Sequence, residues 1–510
     1  MTFGRGADPH RPGTQAIDTP YNPGEHRRSG DWGRAMISVQ DLKKFPKMTR
    51  WFDPRLLSKL LRQVIVGGMF GQYADRRLMM AALDTVSDQE LQSRADVAAD
   101  MGADPEGAIW FDYVSDLGDG FDGTYAVAYQ LAQDTLTVDG QTLPRGSLLI
   151  MGGDEVYPTS SREDYNARLR EPYKLAFPNR PGSQHPPVFM VPGNHDWYDG
   201  LTSFFAMFCR KKATGLGNWR TRQRRSYFAI QLKPDWWVWA IDIALTEDMD
   251  QPQADYFVAI GNAMPEGAKI ILCTAEPGWY GAETKAASFR SLDYAAQLAN
   301  NAKLPDGKTS KGFKIVVALS GDTHHYARYE SGFGTQFVTS GGGGAFLHGT
   351  HGLKSAITLE WLKRPSQTLA LRACYPSKKE SLKLLSGNFR FPLLNWDFGL
   401  LLGVIYWPLV FWMAMRPGID TVIMIAVLLA AGFGLYGSHQ EKGRPGKALG
   451  LALLQALAHL IAIWLLSRLF THHASTWPWF FWVGLWTVPV GGAIAAFIFG
   501  VNLWLTSRFA

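Results

Sequence analysis

Four long apolar stretches near the C-terminus set the first limit on how this 510-residue chain can fold. Phe398 to Met415, Val422 to Tyr436, Ala448 to Leu466 and Trp479 to Leu505 are almost wholly apolar. At about 1.5 Å of rise per helical residue, each is long enough, or nearly so, to cross a hydrocarbon layer roughly 30 Å thick. Inside lipid every backbone N–H and C=O must find its partner within the protein, so stretches of this kind form helices. Pro489, Gly491 and Gly492 lie in the last and longest, which predicts a kink or tilt there. The flanking charge is uneven. Lys378, Lys379, Lys383 and Arg390 precede the first stretch, and Lys442, Arg444 and Lys447 fill the loop after the second. The other two loops carry only Arg416 with Asp420, and Arg468. By the positive-inside rule the large N-terminal region and both termini face the cytoplasm, with the plasma (inner) membrane as the expected location. Polar residues within the spans are few, His459 and Asn502 among them, and no charged pair is present to line a transport path.

The chain ahead of these spans divides by composition. Residues 1–50 read as a disordered tail, since their first part is rich in Gly, Pro, Arg, Asp and His and has no apolar run of the kind a secretory signal needs. Residues 51–105 read as helical, with Leu56, Leu57, Leu60 and Leu61 on one face and a later run from Leu78 to Leu83. The apolar run Val64 to Phe70 is too short to span a bilayer. The three cysteines, Cys209, Cys273 and Cys374, are odd in number and lack metal-type spacing, which excludes a disulfide framework or a zinc knuckle and favours a reducing compartment. A formal net charge of +6 suits contact with anionic lipid or phosphate and identifies neither.

Residues 106–377 alternate short apolar strands with helical or looped stretches, the pattern of an α/β or α+β domain. Four of the strands end in polar clusters. Trp110 to Ser115 runs into Asp116, Ser147 to Met151 into Gly153-Asp154, Val188 to Val191 into Gly193-Asn194-His195-Asp196, and Lys314 to Ser320 into Gly321-Asp322-Thr323-His324-His325. Ser226 to Leu232 and Trp236 to Asp242 read as a strand pair joined through Lys233-Pro234-Asp235, and Lys269 to Thr274 as a strand ending at Ala275-Glu276-Pro277. The acidic strand ends are expected to gather along one edge. Residues 378–397 form a basic juxtamembrane linker, and 398–510 a transmembrane domain of about four helices. Carboxylates, one amide oxygen and imidazole together suit hard or borderline divalent ions.

The motifs in residues 110 to about 350 are similar to those of the calcineurin-like metallophosphoesterases: Asp-x-His, Gly-Asp, Gly-Asn-His-Asp/Glu, His-x-Pro after an apolar strand, and Gly-His-x-His. The resemblance implies a β-sandwich flanked by helices, an α+β fold. It further implies that Asp116 and His324 bind one ion, that Asp154 bridges to a second, and that Asn194 binds the second. His195 would be the general acid or the group that stabilises the transition state, with Asp196 orienting it.

Three family imidazoles are replaced. Gly118 stands where the His of Asp-x-His belongs, with Asp119 beside it; Ala275-Glu276-Pro277 replaces His-x-Pro; and Asp322 replaces the first His of the last motif. A site of Asp116, Asp119, Asp154, Glu276 and Asp322 is rich in oxygen, so manganese, magnesium, iron or calcium is expected before zinc, with one or two ions bound. Asp119 and Glu276 also read as turn and capping residues. His325, His348 and His351 are candidates for substrate contact, against a packed histidine and an ordinary loop. The basic run from Arg210 to Arg225 reads either as a steering patch or as a solvated loop.

These features predict a membrane-anchored phosphoesterase that hydrolyses a phosphate ester or phosphodiester with metal-activated water. The lipid bilayer and a phosphate-ester substrate, lipid or soluble, are its expected partners; nucleic acid is not. The alternative is a degenerate domain that binds metal or ligand without turnover, which the three missing imidazoles favour and the retained His195 and Asp196 oppose.

Overall fold

A computed structural model describes residues 44–61, 107–179, 185–210, 212–243, 248–304, 306–362, 365–440, 445–470 and 477–508. The apolar runs at Val64–Phe70 and Leu78–Leu83 lie outside these residues, as does residues 1–43 of the expected tail. In chain order the strands are β1 (Phe111–Val114), β2 (Thr135–Val138), β3 (Gln141–Pro144), β4 (Leu148–Met151), β5 (Pro187–Met190), β6 (Gly215–Leu216), β7 (Trp219–Thr221) and β8 (Phe228–Lys233). They continue with β9 (Trp236–Ile241), β10 (Lys269–Thr274), β11 (Lys314–Ser320), β12 (Tyr326–Ser331), β13 (Gln336–Ser340), β14 (Ala356–Leu359) and β15 (Gln367–Tyr375).

Two sheets stack on each other. The smaller has the order β1-β4-β5-β7-β6 and the larger β14-β15-β12-β13-β11-β10-β9-β8. Strands β1, β4, β5 and β7 run parallel, as do β9, β10, β11 and β13. Side chains alternate across a strand, so each sheet presents two faces. Leu148, Ile150 and Phe189 meet Ile230, Val238, Ile271, Val317 and Leu319 in the layer between the sheets. Leu149, Met151, Val188 and Met190 point the other way, onto Tyr165, Leu169, Tyr173 and Phe204. On the far side, Trp237, Trp239, Ile270 and Leu272 pack with Phe257 and Ile260 of helix Gln251–Ala263 and with Leu292 and Ala295 of helix Ala287–Asn300. The result is a β-sandwich with helices on both outer faces, the α+β architecture expected from the motifs. Both faces of the parallel strands are covered, which explains why they read as continuous apolar runs.

Asp112 on β1 brings a carboxyl into this largely apolar lining. Its Oδ2 accepts the Gly146 N–H at 2.9 Å, and burial pushes its carboxyl up to about 6. A folded-state value raised above the unfolded one contributes stability at low pH that is lost as pH rises through about 6. Asp112→Asn keeps the acceptor and removes the charge. It is expected to stabilise the protein at pH 8 by roughly 1–2 kcal/mol and to change little at pH 4, read as thermal midpoints of the two proteins at each pH. An equal shift at both pH values would show that ionisation is not the cause.

Residues 44–53 pack on the sandwich, in contrast to the free tail expected through residue 50. Thr49 N–H donates to the Asp119 carbonyl at 2.9 Å, Phe121 N–H to the Pro46 carbonyl at 2.9 Å, and the Phe45 ring stacks on Phe121 at 4.0 Å. The physical reason is aromatic. Phe45, Trp51 and Phe52 bring large apolar surface into this stretch.

The expected basic linker is a chain of short helices. Lys378–Leu384 starts at a Ser377/Glu380 capping box and is followed by Leu385–Arg390 and Phe391–Leu394. Three helices are long and apolar enough to cross a membrane: Trp396–Met415, Leu449–Arg468 and Pro478–Arg508. The remaining expected span is helix Ile419–Gln440, whose apolar part is Ile419–Leu435. Both ends of the block return to the sandwich, since Arg50 pairs with Asp397 at 2.8 Å and His351 Nε2 bonds the Ser507 carbonyl. Ile419–Gln440 follows Trp396–Met415, so the block has four helical legs among the described residues, three of which are long and apolar enough to cross. In the last leg the kink predicted around Pro489 is a π-helical turn, Thr487–Gly491. It lets the leg press against the first one, where a Cβ on Gly403 would stand 2.0 Å from the Val488 carbonyl oxygen.

Candidate metal centre

The C-terminal ends of β1, β4, β5 and β11 converge, and each delivers a polar residue in the turn that follows. Asp116, Asp154 and Asp322 have φ of 62°, 53° and 68°. This left-handed conformation is uncommon outside glycine, though Asp and Asn tolerate it best, and it turns the chain sharply enough to aim a carboxylate back over the strand ends. Close approach of glycine backbone completes the turn. A Cβ on Gly193 would lie 2.1 Å from Asp154 Oδ1, and one on Gly321 would lie 2.8 Å from Asp116 Oδ2.

Asp116, Asp154 and His324 each place a potential ligand atom within 4.8 Å of the others'. They are 0%, 3% and 5% exposed, and among the described residues no lysine or arginine pairs with either carboxylate. Burial, followed by the charge of Asp322, raises Asp116 well above the usual carboxylate range; burial and then Asp116 do the same to Asp154. Two carboxylates held together without a counter-ion are costly, and a bound cation removes the cost. The His324 tautomer agrees. Its Nδ1 lies 2.7 Å from the Phe346 carbonyl, which can only accept, so Nδ1 carries the proton and Nε2 keeps a lone pair for the cluster.

Between the three sits a residue that sequence reasoning did not single out. The Tyr157 hydroxyl is 3.1 Å from Asp116 Oδ1, 3.0 Å from Asp154 Oδ2 and 2.8 Å from His324 Nε2. Burial and then the two carboxylates hold it protonated, and one hydroxyl proton cannot serve three acceptors at once. A cation can, and the donor set therefore fits a divalent ion. The available sequence signal was spacing: Tyr157 follows Asp154 by three residues in the same turn.

Residues 109–326 match the family model for calcineurin-like phosphoesterases. These residues form a calcineurin-like phosphoesterase domain. A search of curated proteins found no match. The matched stretch ends at the first residue of β12, whereas the pairing of β12 with β13 and β15 carries the larger sheet on to Tyr375.

Around the phosphoesterase cluster the remaining residues separate by what they touch. His195 N–H donates to Asp154 Oδ1 at 2.9 Å, and its Nδ1 is held by the Pro158 carbonyl at 2.7 Å. Burial lowers its pKa, so the ring is neutral at neutral pH with Nε2 as its open lone pair. Asp196, expected to orient this ring, is occupied elsewhere. Its Oδ2 accepts from Gly193 N–H at 2.9 Å and Glu155 N–H at 3.3 Å, and its Oδ1 accepts from the Tyr165 hydroxyl. Asp196 thus shapes the turn, and the Pro158 carbonyl positions the imidazole. Asn194 bonds to the Tyr198 side chain beside the centre. Asp322 donates its N–H to Asp116 Oδ1 at 3.1 Å and adds its charge to both buried aspartates, without joining the three-donor group.

Four of the expected candidates have other settings. Asp119 is buried, but its carboxylate accepts from Thr49 N–H at 3.2 Å and Phe346 N–H at 3.3 Å, so it fastens the N-terminal segment instead of an ion. Glu276 follows β10 and is not among the clustered donors. His351 is a tie between Ser381, 2.7 Å from its Nδ1, and the end of the last leg, which removes it from substrate contact. His325 is buried, and burial with the nearby His348 lowers it to about 4. His348 alone of these lies on the centre, stacked on His324 with ring centroids 4.4 Å apart.

Proposed function

We propose that this chain is a membrane-anchored, metal-dependent phosphoesterase with its catalytic domain and both termini in the cytoplasm. The observation that carries the reading is the buried Asp116–Asp154–His324 group, which has three converging donors and, among the described residues, no counter-ion, with a neutral His195 fastened beside it. In this reading one divalent ion is held by those three residues, with Asp322 and Asn194 in adjoining turns to extend the set. The oxygen-rich donors favour manganese, magnesium, iron or calcium over zinc. The ion would polarise the phosphoryl group and make water more acidic. The chain's own groups supply the rest. Asp154 accepts the His195 backbone N–H, which holds that residue beside the ion's donors, and the Pro158 carbonyl sets the ring. An ester anion beside that ring raises its proton affinity, so the imidazole takes up a proton as substrate binds and returns it to the leaving oxygen from Nε2.

The test uses the purified full chain with p-nitrophenyl phosphate and bis-p-nitrophenyl phosphate, stripped of metal and reloaded with each ion in turn. Hydrolysis that needs the ion and is lost on chelation is the expected result. Ion binding without turnover on either ester would instead support a domain that binds and no longer hydrolyses.

A further inference from the structure

The N-terminal strap joins the candidate centre to the membrane helices within one residue. Trp51 packs edge-on against the rings of His195, Tyr157 and Phe346, with centroids 5.6, 5.9 and 5.5 Å away. Its neighbour Phe52 meets Phe391 of the linker, Phe398 of the first leg and Phe499 of the last, at 4.8, 5.3 and 5.6 Å. On the other side of Trp51, Arg50 forms its ion pair with Asp397 in the first turn of the first leg. Adjacent Cα atoms are about 3.8 Å apart, so one wall of the centre and the top of the helical block are a single structure.

A second segment makes the same connection independently. His348 stacks on His324, and three residues later His351 holds Ser381 and the Ser507 carbonyl near the end of the last leg. Between Phe346 and His348, Leu347 is 50% exposed, and Leu393, Leu394 and Trp396 at the foot of the first leg are 80%, 66% and 60% exposed. Large apolar and Trp side chains left open at the head of membrane helices are the composition of a bilayer interface. The Trp51 indole N–H is buried and has no partner among the described residues.

We infer that the centre takes its substrate from the bilayer surface: a phosphate ester whose apolar part stays in the membrane while its headgroup passes beneath Trp51. This rests on the phosphoesterase reading. A freely soluble ester would gain nothing from a centre tied to the heads of the spans by two separate segments. An amphiphilic one is delivered there already oriented, with its translational freedom reduced by the membrane.

The full chain, reconstituted in phosphatidylcholine vesicles and loaded with manganese, is assayed on two diesters with the same leaving group, ethyl p-nitrophenyl phosphate and hexadecyl p-nitrophenyl phosphate. Wild type is expected to show a kcat/KM at least about tenfold higher for the hexadecyl ester. Enrichment in the vesicle alone would also give a preference, so the strap anchors decide. In Phe52→Ala, and in the milder Arg50→Ala at a half-exposed position, the hexadecyl-to-ethyl ratio should fall several-fold while manganese binding stays at the wild-type value. A ratio unchanged in both variants, or equal kcat/KM for both esters in wild type, overturns the inference and leaves the phosphoesterase reading standing. Inactivity on both esters overturns both.

Discussion

Asp154→Asn is expected to abolish ion-dependent hydrolysis, with a loss on the order of a thousandfold or more, while leaving the fold intact. The substitution is conservative where folding is concerned. Asn tolerates the left-handed φ of 53° found there, and its side-chain oxygen can still accept the His195 N–H. What disappears is one buried negative charge next to Asp116. Without metal that charge is a liability, since burial and the Asp116 charge already raise the Asp154 carboxyl well above its ordinary range. The metal-free variant should therefore unfold at the same temperature as metal-free wild type or higher. The ion reverses the order. Wild type in manganese at about 100 times its Kd should gain about 2.7 kcal/mol, and the variant little or nothing. Thermal unfolding with and without manganese, run beside the chromogenic assay, reads both effects. A variant that keeps the manganese-induced shift would show that Asp154 is not a ligand.

The parts of this site that were legible in the sequence are those in which strand and turn are adjacent in the chain. An apolar run covered on both faces must end where backbone and side chains turn polar, and Gly153-Asp154, Gly193-Asn194-His195 and Gly321-Asp322 mark those ends within a few residues. Asp116, Asp154 and His324 were identified this way. What was not legible depends on contacts between distant segments. Asp119 looks like a ligand beside Asp116 until the strap, 70 residues earlier, claims its carboxylate through Thr49. His351 looks like a partner of His348 until Ser507, 156 residues later, accepts from its ring. Trp51 opens the stretch that reads as helical, directly after the residues that read as a tail, and only the aromatic cluster of Phe391, Phe398 and Phe499 gives Phe52, and hence Trp51, a fixed place. The fold follows the same division. Strand alternation and the helical spans are periodic signals within one segment, whereas the places of β12 to β15 at one end of the larger sheet are defined by pairing with strands distant in sequence.

Ion binding should release protons, and affinity should climb with pH above the usual carboxylate range. In the metal-free protein Asp116 and Asp154 hold protons above the usual carboxylate range, because each is buried and each feels neighbouring negative charge. An ion needs them deprotonated, so it expels whatever protons they carry. His324 does not add to the release. Burial, then His348, lower it to about 3, so its Nε2 is already free at every pH of interest, in keeping with its Nδ1–H on Phe346. The linkage therefore has one sign: rising pH strengthens binding until both carboxylates are ionised in the free protein, after which affinity levels off. Over the climbing range manganese affinity should rise by up to roughly tenfold per pH unit for each proton released. Calorimetry at one pH in two buffers of different ionisation enthalpy counts those protons directly. Asp322→Asn removes a charge that raises both aspartates, so it should shift the climb to lower pH and reduce the protons released at any given pH along it. Affinity that is flat between pH 5 and 8 would mean that the carboxylates are ionised before the ion arrives, and that a cation other than the ion already balances them.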